Sequence, residues 1–247
     1  MRPDRLQRVT PDPLAPLIDL PGVAEASDRA RDALGRVHRH RVNLRGWPAT
    51  AAEASLRAAR ASSVLDDGAV VSDPVFGGAL RVAEALEGGG GPIIGIWQRA
   101  PLQALARLHM LAAADQVDHD QLGRPRADAE VGPRLELLAD VVTGRTRAPA
   151  PVVAAVAHGE LLTLRPFGSA DGVVARAVSR LVTIASGLDP HGLGVPEVNW
   201  MRQPAKYRDA AHGFAEGTPD GVGAWLLLCC RAMQAGAQEA LSIAESM

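Results

Sequence analysis

Apolar side chains recur every three or four residues along most of the chain, which is the spacing of an α-helix. The pattern predicts successive helices over residues 24–42, 49–65, 76–87, 95–114, 133–144, 152–164 and 171–186, and a last long helix from 225 onward. Aromatic residues make up only 3% of the sequence, so the core must be built mainly from Ala, Leu and Val. That composition favours helices over strands. The predicted fold class is therefore all-α.

Composition and charge limit the number of domains and the classes of partner that the protein can have. Its 247 residues suffice for one large domain or two small ones, and 47% apolar content supports a substantial core. The net charge of −2 gives no general attraction to nucleic acid or to an anionic membrane. Lys206 is the only lysine among many arginines, which indicates a GC-rich bacterial genome.

Three further features indicate a cytoplasmic protein without a membrane span. Cys229 and Cys230 are adjacent in an apolar run and are expected to be buried free thiols in a reducing compartment. The first residues lack the apolar segment of a signal peptide. The longest uncharged apolar run, near residues 224–230, is far too short to cross a bilayer.

The stretch from residue 162 to 181 reads as helix, short loop and helix. The first helix ends at Leu164, because Pro166 cannot continue it. Asp171 is a good N-cap residue for the second helix, and the free N–H groups there form a ready anion site that Arg176 can reach. The face opposite the apolar stripe of this helix carries Arg176, Ser179, Arg180 and Thr183.

This loop and helix also resemble the signature of the Fic/Doc (Fido) family, H-P-F-x-[D/E]-G-N-G-R-x-x-R. Residues 165–176 read RPFGSADGVVAR, and four positions match: Pro166, Phe167, Gly172 and Arg176. Members of that family usually transfer AMP or another phosphate-containing group to a hydroxyl of a target. The resemblance implies a Fic-like helical domain with a small β-hairpin flap.

The same motif departs from the family pattern at the positions of the catalytic residues. Arg165 stands at the position of the histidine that acts as general base, and Ser169 at that of the acidic magnesium ligand. The next glycine is replaced by Ala170, the asparagine by Asp171 and the first motif arginine by Val173. The catalytic motif is therefore degenerate.

A second motif lies upstream of the signature. Residues 62–68 read SSVLDDG and resemble the inhibitory motif S-S-x-I-E-G of many Fic proteins, whose glutamate pairs with the second motif arginine. Asp66 takes the glutamate position, or Asp67 if the register slips by one, and the implied partner is Arg176. A simple turn is the alternative interpretation of the Asp-Asp-Gly segment.

The resemblance divides the chain as follows. Residues 1–48 are an N-terminal extension and helix, and residues 49–243 are the Fic-like domain. That domain includes the inhibitory-type helix 49–66, the flap within 121–133 and the signature loop and helix 165–186.

The family's reaction needs a base, a metal on the phosphates, anion-binding amides and arginine. Arg165 cannot act as a base because its guanidinium stays protonated, and Ser169 is a poor ligand for magnesium. The anion-binding set is retained: Arg165, Gly172, Val173 and Arg176. No metal site and no certain cofactor are expected, ATP or another nucleotide is a candidate ligand, and magnesium is doubtful.

Three functions stay open. The first is a pseudoenzyme that binds a partner protein or a nucleotide without AMP transfer. The second is an active transferase with altered residues, for which a carboxylate or histidine such as Asp66, Asp67 or His158 would have to approach Ser169. The third is a structural helical module, including a homodimer. His109 and His158 are themselves expected to be structural.

Overall fold

The computed structural model describes residues 11–247. Those residues form twelve α-helices, numbered here in chain order: α1 Ala15–Ile18, α2 Val23–Arg39, α3 Asn43–Asp67, α4 Asp73–Leu86, α5 Gly91–Arg99, α6 Pro101–Ala113, α7 Val131–Asp140, α8 Ala150–Leu164, α9 Asp171–Ala185, α10 Pro196–Arg202, α11 Pro204–Ala215 and α12 Pro219–Glu245. A π-helical turn, Val141–Arg145, follows α7. Residues 1–10 of the predicted extension lie outside the described residues. The all-α prediction is confirmed.

Helix α9 lies at the centre of the fold. It contacts α3, α4, α5, α6 and α8, so helices surround it. The sequence predicts an apolar stripe and a polar face, yet the polar face is buried as well: Arg176, Ser179, Arg180 and Thr183. These side chains must therefore find their hydrogen-bond partners inside the protein.

Prolines explain two of the differences from the predicted helix boundaries. The single helix predicted over 95–114 is divided at Ala100, because Pro101 has no N–H and disfavours a helical residue before it. The last helix begins at Pro219 rather than at Trp225, and the Thr218 hydroxyl caps it by accepting from the Gly221 N–H. The short helix α10 was not predicted.

The predicted β-hairpin flap is not confirmed, since residues 11–247 contain no strand. Residues 121–130 instead form turns and irregular backbone. Pro125 removes a donor that a strand ladder would need. One backbone bond remains, in which the Arg126 N–H donates to the Pro166 carbonyl at 2.7 Å. The segment is therefore fixed against the loop after α8 without pairing as a hairpin.

Close helix packing depends on small residues. A Cβ on Gly78 of α4 would lie 1.9 Å from the Ala112 carbonyl oxygen of α6, so only glycine permits this approach. Cys229 and Cys230 are buried free thiols, as predicted. Among the described residues, no helix is both long and apolar enough to span a bilayer.

Candidate functional site

The loop between α8 and α9, Arg165–Ala170, is called the signature loop here. Three of its six residues adopt left-handed backbone conformations: Arg165 at φ 48°, Gly168 at φ 77° and Ala170 at φ 50°. For a residue with a Cβ this conformation costs about 1–2 kcal/mol. Ala170 stands where the family resemblance aligns a glycine, so the loop keeps its turn at a cost in strain.

Arg126 braces the signature loop from outside. Its guanidinium donates to the Arg165 carbonyl at 2.9 Å and to the Leu164 carbonyl at 3.0 Å, and it also pairs with Asp128. The last carbonyls of a helix have no partner within that helix. Arg126 therefore satisfies the end of α8 and holds the loop in its tight conformation.

Asp171 ties the loop to the start of α9 in a way that the sequence did not predict. Ala170, not Asp171, is the N-cap residue, and Asp171 is the first residue of the helix. Its Oδ1 accepts from the Phe167 N–H at 2.9 Å, while Oδ2 is buried without a hydrogen-bond partner. Burial raises the pKa of this carboxyl. The N-cap prediction is wrong by one residue, and the carboxylate pins the loop instead.

Arg176 is the best-connected side chain of the site. Its Nε donates to the Ser62 hydroxyl at 2.8 Å, one Nη to the Ser62 carbonyl at 2.9 Å and to Asp66 Oδ1 at 2.5 Å, and the other Nη to the Tyr207 hydroxyl at 3.4 Å. These four residues are called the Arg176 cluster. Burial alone would lower the pKa of Arg176, but the Asp66 carboxylate and Tyr207 raise it above its usual value.

The structure distinguishes the two aspartates at the end of α3. Asp66 pairs with Arg176, whereas Asp67 Oδ2 accepts from the Ser72 N–H at 2.7 Å and closes the turn into α4. The segment therefore contains both a carboxylate paired with Arg176 and a turn closed by Asp67. Asp66 also reaches α9 itself, because its Oδ2 accepts from the Val173 N–H at 3.1 Å.

Asp66 therefore lies where an anion would bind. Its two oxygens join a buried arginine to a free amide at the start of a helix, which is the arrangement that binds phosphate oxygens. Gly172 permits the approach, since a Cβ there would lie 2.2 Å from Asp66 Oδ1. The Val173 side chain is buried in the core, and the residue contributes its backbone N–H to this position.

Ser169 lies beside a histidine that the sequence gave no reason to place there. His109 of α6 is buried, stacks on Phe167 with ring centroids 4.1 Å apart, and has its Nε2 3.0 Å from the Ser169 hydroxyl. Its Nδ1 accepts from the Gly123 N–H at 2.9 Å. In the neutral ring Nε2 must then carry the hydrogen and donate to Ser169. Burial lowers the pKa of His109, which favours that neutral form.

His158, the other histidine considered for Ser169, lies elsewhere. Its Nε2 is 2.8 Å from the Tyr207 hydroxyl, and it packs among Trp200 and Trp225. Burial lowers its pKa well below the usual value. It supports the Arg176 cluster through Tyr207 and does not approach Ser169, in agreement with the structural role predicted for it.

A cavity of about 500 Å³ opens in front of the signature loop and is called the signature cavity. The signature residues Arg165, Ser169, Asp171, Gly172 and Val173 line it together with Asp66. Two further lining residues were not predicted, Gln116 after α6 and Arg208 on α11. Neither belongs to a motif, so only the three-dimensional fold reveals them. A second cavity of about 340 Å³, between α5 and the π-helical turn, has no titratable side chain in its lining.

The donors of the signature cavity do not fit a magnesium ion. The Ser169 oxygen already accepts from His109, and one oxygen of Asp171 accepts from the Phe167 N–H. The remaining Asp171 oxygen is buried, and burial favours the neutral form of this carboxyl. Magnesium prefers ionised carboxylates and phosphate oxygens in octahedral geometry. We therefore derive no step through a metal.

Similar architectures occur among solved structures. The chain superposes on a Fic family protein from Desulfovibrio desulfuricans G20 with a TM-score of 0.68 at 15% identity, covering 90% of this chain and 74% of the other. A fragment of Fic-1 from C. elegans matches with a TM-score of 0.61 at 14% identity, covering 91% and 72%. A variant of that fragment matches with a TM-score of 0.58 at 18% identity, covering 94% and 74%.

The chain has the Fic fold. These similarities show the fold alone, because sequence identity stays below one residue in five. No protein-family model matches the sequence, and no curated protein matches it significantly.

Proposed function

We propose that this protein binds a nucleotide or another phosphate-bearing ligand in the signature cavity and does not transfer AMP. The observation that carries the proposal is the placement of the Asp66 carboxylate between Arg176 and the Val173 N–H. A carboxylate of the protein occupies a position built for anionic oxygens. In this proposal Asp66 is an internal ligand that an incoming phosphate group must displace.

The charges around the cavity support an anionic ligand. Arg165 and Arg208 line it, and Arg176 lies behind Asp66. Asp66 is the partner that a ligand can displace, since 23% of its side chain is exposed, compared with 2% of the Arg176 side chain. Displacing it returns a carboxylate to water and frees both the arginine and the amide for the ligand.

The absence of a usable base supports binding without transfer. Arg165, at the position where the resemblance places the general base, stays protonated. Loss of a general base typically costs about 10²–10⁴-fold in rate. Ser169 offers a hydroxyl where the resemblance places an acidic ligand, and it is held by His109.

An active transferase with altered residues is the alternative, and the contact between His109 and Ser169 is the one observation in its favour. A histidine acts as a base only through a nitrogen that carries no hydrogen. Nδ1 of His109 is committed to the Gly123 N–H, so the nitrogen that faces Ser169 is the protonated one. His109 therefore serves better as a fixed donor than as a base.

Calorimetric titration with ATP tests the proposal. We expect Asp66→Ala to bind ATP at least about tenfold more tightly than the native protein, because a partly buried ion pair no longer competes. Arg176→Ala should lose binding. Asp67→Ala is the matched control, since Asp67 lies next to Asp66 but outside the cluster. The titrations are run with and without magnesium, and we expect the same affinity in both.

Two results would count against the proposal. Equal ATP affinity in the native protein, Asp66→Ala and Arg176→Ala would show that the Arg176 cluster is not the anion site. Transfer of radiolabelled AMP from ATP to protein by Asp66→Ala would favour the altered transferase instead.

A further inference from the structure

A third and smaller cavity is lined in part by Tyr207. It has a volume of about 100 Å³ and is called the α11 cavity here. Its polar lining consists of Asn199, Trp200, Gln203, Lys206, Tyr207 and Arg231. These residues come from α10, α11 and α12 and from the junction between α10 and α11, so the cavity is formed where three helices meet.

The charges of this cavity are all of one sign. Lys206 and Arg231 both line it, and no carboxylate does. Within residues 11–247 neither side chain forms an ion pair or donates a side-chain hydrogen bond. Both residues are exposed, and two cations that line one cavity without a counter-ion attract an anion.

Two neutral features accompany these charges. Trp200 is buried, and its indole N–H has no acceptor, which costs free energy until a partner arrives. Lys206 is the third residue of α11, so its backbone N–H is one of the unpaired amides at the start of a twelve-residue helix. The positive end of that helix dipole adds to the positive potential at the start of α11.

We propose that the α11 cavity binds a single phosphate-type oxyanion. Its volume equals that of about three water molecules, which admits a phosphate group but not a nucleoside. Two cations match the charge of a phosphate dianion better than that of a carboxylate. This site is separate from the signature cavity, although Tyr207 lines the one and accepts a hydrogen bond from Arg176 beside the other.

The single lysine makes a direct test available. Amine-reactive acetylation followed by mass spectrometry reports Lys206 alone among the side chains. Inorganic phosphate should slow acetylation of Lys206 several-fold, acetate should do so weakly, and chloride at equal ionic strength should have no effect. Equal rates in phosphate and chloride would overturn the proposal.

Calorimetric titration with inorganic phosphate separates the two cavities. We expect Lys206→Gln and Arg231→Gln each to weaken phosphate binding by about tenfold or more, as loss of one charge-assisted contact does. Arg208→Gln, on the same helix, reports phosphate binding in the signature cavity, which Arg208 lines. Phosphate affinity that falls only in Arg208→Gln would overturn the α11 site while leaving the proposed nucleotide function intact. A protein that binds inorganic phosphate but no ATP would overturn the proposed nucleotide function while leaving the α11 site intact.

Discussion

Arg176 and Arg180 lie one turn apart on α9 and are both buried, yet their guanidinium groups donate to different kinds of partner. Arg180 donates to the carbonyls of Gly192 at 2.7 Å and Gly194 at 2.9 Å, and lies 3.4 Å from the buried carboxylate of Glu197. Arg176 donates mainly to side chains of other helices, among them the partly exposed Asp66.

The difference separates a structural arginine from one that a ligand can reach. Backbone carbonyls of a loop cannot leave Arg180 without unfolding that loop. Asp66 can turn away from Arg176 toward water, because it lies at the edge of the signature cavity. One helix thus carries the same residue type in two roles, and the partner rather than the arginine decides which role it has.

The largest expected effect is on stability, and it distinguishes the two arginines. Arg180→Met leaves two carbonyls and the Glu197 carboxylate buried without a donor, and breaking such a pair costs about 3–5 kcal/mol. Arg176→Met leaves Asp66 free to solvate and should cost only about 1–3 kcal/mol. Urea denaturation of both variants measures the difference.

The double variant Arg180→Met with Glu197→Leu is the control, since it removes the stranded charge and should recover part of the loss. Equal losses for Arg180→Met and Arg176→Met would mean that Asp66 is as fixed a partner as the Gly192 and Gly194 carbonyls.

Local pattern predicts the helices well, because most of them carry an apolar stripe of helical period. The signature resemblance also identified Arg176 and Asp66, which lie 110 residues apart in the chain. Arg180 could not be assigned in this way, because loop carbonyls leave no mark on the sequence. The flap was predicted as a hairpin, but Pro125 and the contacts of Arg126 with the signature loop override that pattern.

The contact between His109 and Ser169 shows the same limit inside the candidate site. It joins residues 60 positions apart, and His109 lies in a helix whose spacing predicts only packing. Such a pair can be identified only when the packing of α6 against α9 is known, and that packing depends on many side chains at once.

A smaller effect is expected from a change that moves Asp66 without removing any charge. In Gly172→Ala the new Cβ would overlap Asp66 Oδ1, so the carboxylate must turn outward. The loss of its bonds to Arg176 and Val173 should cost roughly 1 kcal/mol, partly offset by the higher helix propensity of alanine. ATP affinity should change as well, since the internal ligand is displaced.

Gly132→Ala is the matched control for this substitution. Gly132 is also the second residue of its helix, α7, and a Cβ there meets nothing within 4 Å. That variant should be as stable as the native protein or slightly more so. If both variants gained stability equally in thermal denaturation, Asp66 would not depend on the space beside Gly172.

The smallest expected effect is a pH dependence of stability, to which the two sides of α9 contribute through different groups. Burial lowers the pKa of His109, so this side chain stays neutral in the native state. In the unfolded chain it takes up a proton near pH 6.5. The unfolded state then binds more protons, and stability falls as pH decreases below about 6.5. Protonation would also break the bond from the Gly123 N–H to Nδ1.

On the Arg180 side the relevant group is Asp189, whose carboxylate holds the Leu193 and Gly194 N–H groups and faces His38. Burial would raise its pKa, but these hydrogen bonds lower it below its usual value. A depressed carboxyl pKa stabilises the native state above pH 4, and that contribution is lost only as pH falls through the folded value. The Asp189 contribution is thus lost at lower pH than that of His109. Burial also lowers the pKa of His191 beside His38, so the Arg180 side shares part of the decline below pH 6.5.

Urea midpoints at pH 7.5, 6.5 and 5.5 measure this difference. His109→Gln should flatten part of the decline below pH 6.5, and part should remain because burial also lowers the pKa of His158 and of His191. His119→Gln, at an exposed position, is the control and should follow the native curve. A decline unchanged in His109→Gln would show that the pKa of His109 does not differ between the native and unfolded states, and that the cavity side of α9 is no more sensitive to pH than the side fixed by Arg180.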